Sequence, residues 1–141
     1  MDQAQGFDFD DLESTDSGVL TLRHPITGET ILASLTLAGP NHPKRKAVEL
    51  RRARIIQKRM LNNIRSRGAM DLGEVEEDFE YELDRLVAST LGWTGVLSNK
   101  QAVPLTEANV RIRYESAPWM RKQALEFLEQ DNNFLKQQAT R

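Results

Sequence analysis

The sequence predicts a mainly α protein, a small helical bundle with an N-terminal β-hairpin. Three observations predict it. Two β-rich runs flank a Pro and Gly turn between residues 18 and 38. Two long segments of opposite charge, 44–67 and 73–91, carry apolar residues at helical spacing. Two helix-start signals follow, Thr106 and then Ser116 with Pro118 just inside. A chain of 141 residues with 39% hydrophobic and 28% charged side chains has the balance of one globular domain with a modest core.

Residues 1–17 read as a flexible acidic arm, and residues 18–141 as a single mostly helical domain. In the arm, Asp2, Asp8, Asp10, Asp11, Glu13 and Asp16 have no basic residue nearby. Phe7, Phe9 and Leu12 are its large apolar groups. Composition favours a disordered tail. The sharper reading is a short segment that docks through Phe7 and Phe9.

The hairpin spans 18–38. Val19-Leu20-Thr21-Leu22 leads into His24-Pro25-Ile26-Thr27-Gly28-Glu29, and Thr30 to Leu37 returns. Ile31, Ala33, Leu35 and Leu37 alternate with Leu32, Ser34 and Thr36, which makes one face apolar. A lone hairpin is marginal in water, so it must pack on the helices or pair with something else.

Gly39-Pro40-Asn41-His42-Pro43 breaks the chain before a helix over 44–67. Leu50, Ala53, Ile56, Met60, Leu61 and Ile64 fall on one side of it, and Gly68 suits the cap after it. Ten Lys and Arg residues with a single acid, Glu49, make this helix basic. The next helix, 73–91, is acidic from Glu74 to Asp84 and has an apolar stripe of Leu72, Val75, Phe79, Leu83, Leu86 and Val87. Charge complement predicts that the two fold back as an antiparallel pair. Gly92-Trp93-Thr94-Gly95 ends the acidic helix, and 96–104 is a connector. Two helices complete the bundle, 106–115 and 117–137, the second interrupted at Asp131-Asn132-Asn133.

Composition excludes several function classes. There is no cysteine, hence no disulfide, thiol chemistry or thiolate metal site, which fits a reducing compartment. The N-terminal residues hold no apolar run of the signal-peptide kind, and the most apolar stretch, 30–38, is too short to span a bilayer. A cytoplasmic protein is the expectation. His24 and His42 each sit beside a proline in a turn, with no helical His pair and no glycine-rich phosphate loop. No catalytic residue, metal site or cofactor is expected. The acidic run reads as a solvated helix face rather than as paired carboxylates.

The basic helix 44–67 is the signal for a nucleic-acid partner. It lacks aromatics for base stacking, and the next helix supplies acids to neutralise it, so nucleic acid is disfavoured. In the second half, Trp93, Trp119, Phe127 and Phe134 dominate the aromatic content. They read either as bundle core or as a groove that anchors a partner helix. Trp119, Phe127 and Phe134, supported by Trp93, are the candidate partner-binding residues.

Several segments occur in a familiar order: Leu22 to Glu29, Leu86 to Gly95, Asn109-Val110 through Tyr114, Pro118-Trp119-Met120-Arg121-Lys122-Gln123, and Asn132-Asn133-Phe134-Leu135. Across 19–135 the chain resembles the tail assembly chaperones of long-tailed (siphophage-like) bacteriophages and prophages. It departs from their pattern at Asn132, where such proteins carry an arginine. The resemblance implies a non-catalytic factor that binds and solubilises the tape measure protein and helps recruit tail tube subunits. It implies action in the cytoplasm of the infected bacterial host and absence from the mature virion. The chain resembles the short form of such chaperones, for which a longer frameshifted form is common. Many copies per tape measure chain are expected, and self-association is compatible with this. The alternatives are a small nucleic-acid-binding or regulatory protein using helix 44–67, and a structural head–tail connector.

Overall fold

In a computed structural model, which describes residues 5–66 and 72–137, the chain is a mixed α/β protein and not a small helical bundle. The Gly68 cap, the first four residues of the arm, and the side chains of Ile64 and Leu72 lie outside what is described. The elements run β1 (Leu12–Ser14), β2 (Ser17–Arg23), β3 (Thr30–Ala38), α1 (Pro43–Ser66), α2 (Leu72–Ser89), β4 (Thr90–Thr94), β5 (Leu97–Ser98), β6 (Gln101–Ala102), α3 (Glu107–Ser116), α4 (Pro118–Glu129) and β7 (Leu135–Gln137).

The hairpin β2–β3 gains a third antiparallel strand, β4, in the order β2-β3-β4. Leu20, Leu35 and Trp93 stand in register across it. This third strand corrects the bundle expectation. The apolar spacing carries the acidic helix to 91, but Thr90 and Gly92 are poor helix formers, and Thr90 to Thr94 is a strand. Extended backbone there covers an edge of a hairpin that would be marginal alone. The helix therefore stops at Ser89, and the Thr90 hydroxyl donates back to the Leu86 carbonyl at 2.7 Å.

The final segment differs as well. The helix expected over 117–137 ends at Glu129, a 3-10 turn covers Asp131–Phe134, and β7 pairs antiparallel with β1. Residues assigned to the acidic arm thus join the fold: Leu12, Glu13 and Ser14 oppose Gln137, Lys136 and Leu135. Such short ladders have no alternating pattern to announce them.

One face of the three-stranded sheet is apolar. Leu22, Leu35 and Leu37 are buried against Leu83 and Leu86 of α2, Val110 and Tyr114 of α3, and Met120, Ala124 and Leu128 of α4. The opposite face is wet, with Val19 exposed and the Ser34 and Thr94 hydroxyls 2.6 Å apart. This is the half-solvated pattern that antiparallel sheets accept.

α1 and α2 form an antiparallel pair, but not through the apolar stripe of α1. Their contact is ionic. Arg52 and Arg59 bridge Asp78, Arg59 also reaches Glu77, and Glu49 meets Arg85 at 2.9 Å. The face that carries these arginines is turned to α2, so the stripe, about a third of a turn away, looks outward. Leu50, Ile56, Met60 and Leu61 are 50%, 39%, 61% and 55% exposed.

Arg45 ties the layers together. It is 4% exposed, donates to the carbonyls of Ala38 at 3.0 Å and Leu128 at 2.9 Å, pairs with Glu49 at 3.2 Å, and stacks on the Phe134 ring at 5.4 Å. A buried guanidinium is tolerable only with its donors satisfied in this way. No helix among the described residues is long and apolar enough to cross a membrane.

Candidate functional site

The aromatic residues of α4 follow from its register. Pro118 starts the helix, and Met120, Ala124 and Leu128 face the sheet. Trp119, Gln123 and Phe127, spaced by four, then fall on the flank beside β2. Between them and Leu20, Thr21 and Arg23 lies an open cleft of about 540 Å³. Trp119 and Phe127 are half-buried, each with one side against the core and one side toward this cleft.

Gln123 bridges the cleft. Its Oε1 accepts from the Arg23 backbone N–H and its Nε2 donates to the Arg23 carbonyl, both at 2.9 Å. The carboxamide satisfies the outer edge of β2 as one peptide group of a neighbouring strand would.

The four expected partner residues separate. Trp119 and Phe127 share the cleft. Phe134 lies beneath them at 2% exposure, edge to face with Phe127 at 5.4 Å, and is a core residue. Its burial has a local cause, because the 3-10 turn after α4 directs the ring into the space between Arg45 and Phe127. Trp93 sits on β4, the opposite edge strand, and its indole N–H donates to the Val103 carbonyl at 2.9 Å. The structure does not bring it to the cleft.

Neither histidine faces the other or a carboxylate cluster. His24 Nδ1 accepts from the Ile26 and Thr27 N–H groups in the hairpin turn, and His42 Nδ1 accepts from the Lys44 N–H at the start of α1. Among the described residues no group of three or more His, Asp or Glu could hold a metal ion.

Four acids of α2, Glu77, Asp78, Glu80 and Asp84, are held by arginines from neighbouring helices. Arg111 of α3 pairs with Glu80 and with Asp84, the latter at 2.9 Å. Arg85 pairs with Glu49 and with Glu129 at 2.6 Å. Burial works against the Arg85 charge, but the hydrogen bond and charge of Glu129, with Glu49, outweigh it and raise its pKa.

Trp119 and Phe127, singled out in the sequence by aromatic content and terminal position, share the cleft. Sequence reasoning missed the outward turn of the α1 stripe. The available signal was the seven-residue, two-turn spacing of Arg52 and Arg59 opposite Glu77 and Asp78, which marks the ionic side as the inner one. No protein-family model, curated protein or solved structure matches the chain.

Proposed function

We propose that this chain is a tail assembly chaperone of a long-tailed bacteriophage, a non-catalytic protein that holds the tape measure protein in the host cytoplasm and helps gather tail tube subunits around it. The observation that carries the reading is the ordered run of motifs from Leu22-Arg23-His24-Pro25 to Asn132-Asn133-Phe134-Leu135. The surface supports it. A protein that keeps a long amphipathic chain in solution needs reversible apolar cover, and this one exposes two apolar areas, the Trp119–Phe127 cleft and the outer side of α1. Weak contacts repeated along one long partner gain strength through multivalency.

The test is the composition of the phage particle. Mass spectrometry of infected-cell lysate and of purified virions should find the chain in the first and not in the second. Fixed stoichiometric copies in the virion would instead make it a structural connector.

The exposed cations of α1 favour a second reading, nucleic-acid binding. That reading requires affinity for duplex DNA that falls steeply with salt. Salt-insensitive binding of the tape measure protein speaks for the chaperone.

A further inference from the structure

The outer side of α1 is an amphipathic surface facing away from its own fold. At roughly 100° per residue, Ile56, Met60, Ala53, Leu50 and Leu61 occupy a sector about 140° wide. From Leu50 to Leu61 the sector runs for about 16 Å at the helical rise. All five residues are exposed. Arg54 and Lys58 border it on one side, and Lys46 precedes it by one turn. None of these three cations makes an ion pair among the described residues, whereas Arg45, Arg52 and Arg59 on the inner face all do. The helix has therefore divided its charges. The inner arginines neutralise α2, and the outer ones are left beside a hydrophobic strip.

We infer that this strip is a docking face for an amphipathic helix of another protein whose own apolar stripe is bordered by carboxylates. Charge decides among the occupants. Two copies of α1 packed strip to strip would oppose segments that each hold nine Lys and Arg against one Glu. Like charges across such a contact are unfavourable. The carboxylates of a second copy's α2 are poor substitutes, because Glu77, Asp78, Glu80 and Asp84 are already held by arginines of their own chain. A nucleic-acid backbone would satisfy the cations and leave Leu50, Met60 and Leu61 in water. An acidic amphipathic helix covers the apolar residues and meets Arg54 and Lys58 together.

The inference rests on the chaperone reading only in taking the natural owner of that helix to be the tape measure protein. Its test does not need that protein. Two labelled synthetic helices of about 20 residues share one leucine stripe and differ in carrying Glu or Lys at its borders. Fluorescence anisotropy with the full chain should show the Glu helix binding at least about tenfold tighter than the Lys helix. Met60→Ser with Leu61→Ser should weaken that binding by about tenfold or more. Arg54→Glu with Lys58→Glu should reverse the preference. All four sites are solvent-exposed, and unchanged far-UV circular dichroism should confirm the fold.

Equal affinity for the two helices overturns the inference, as does binding that ignores the Met60 and Leu61 changes. So does a dimer in light scattering that those changes turn into monomer, or a duplex DNA that binds tighter than the Glu helix. If the tape measure protein is held in solution equally well by the Met60→Ser, Leu61→Ser chain, the docking face is wrong and the chaperone reading survives. If the Glu helix binds as expected while the tape measure protein stays insoluble, the reverse holds.

Discussion

The Tyr114 hydroxyl lies 2.7 Å from the Thr90 hydroxyl in the core, where α3 crosses the junction of α2 and β4. The Thr90 proton is committed to the Leu86 carbonyl, so Tyr114 must be the donor between them. Burial lifts the Tyr114 phenol from 10.0 to about 12. A raised folded-state pKa means that the native state keeps its proton longer than the unfolded chain does. Its contribution is complete below pH 10 and is lost as pH rises toward 12, by roughly 1.4 kcal/mol per pH unit in that window. Tyr114→Phe cannot lose it. Urea denaturation should show the variant about 1 kcal/mol less stable at pH 7 and the difference shrinking or reversing by pH 12. A constant difference across that window would contradict this assignment.

Arg45 should be the most sensitive charged residue of the described chain. Arg45→Met keeps much of the aliphatic length but strands the Ala38 and Leu128 carbonyls and the Glu49 carboxylate. We expect a loss of about 3 kcal/mol in urea denaturation. Arg45→Lys should recover less than half of it, because an ammonium cannot reach both carbonyls and Glu49 in one plane. Full recovery by lysine would mean that charge alone matters there.

Two glycines at positive φ separate strain from crowding. Gly28 (φ 75°) has nothing within 4 Å of where a Cβ would stand, whereas at Gly95 (φ 71°) that atom would fall 1.7 Å from the Leu32 carbonyl oxygen. Gly28→Ala should cost about 1 kcal/mol from backbone strain alone. Gly95→Ala should cost well over twice that, because β3 and β4 must separate. Thermal melts of the two variants check the ratio, and similar losses would contradict it.

These sites mark how much of the molecule could be read before the structure. The hairpin was legible because Leu20, Leu22, Leu35 and Leu37 alternate around a Pro–Gly turn. The charge-matched helices were legible from Arg52, Arg59, Glu77 and Asp78. β4 was hidden because Leu91 continues the apolar helix pattern and Gly92 to Gly95 reads as its end, and only the need to cover β3 turns the segment into a strand. The β1–β7 pairing was hidden because Glu13 and Lys136, in register across it, are both exposed polar residues in three-residue strands. In the candidate site, aromatic content and terminal position singled out Trp119 and Phe127. Neither could tell that Phe134 turns inward while those two remain at the surface, because that depends on a 3-10 turn fixed by tertiary packing.

The aromatic residues should accordingly respond in two ways. Phe134→Ala should lose about 3–5 kcal/mol of stability as a core truncation, whatever it does to binding. Trp119→Ala, at the half-buried wall of the cleft, should cost less than half of that and weaken tape measure binding in pull-down by about tenfold or more. A folded Trp119→Ala, Phe127→Ala chain that pulls down its partner as well as the parent does would remove the cleft from the interface.

Co-expression of this chain with the tape measure protein of the same phage genome tests the chaperone function without intermediaries. A tail assembly chaperone should move the tape measure protein from the pellet to the soluble fraction, where it co-purifies with several copies of this chain. A tape measure protein that stays insoluble beside abundant, folded chain would contradict the chaperone assignment.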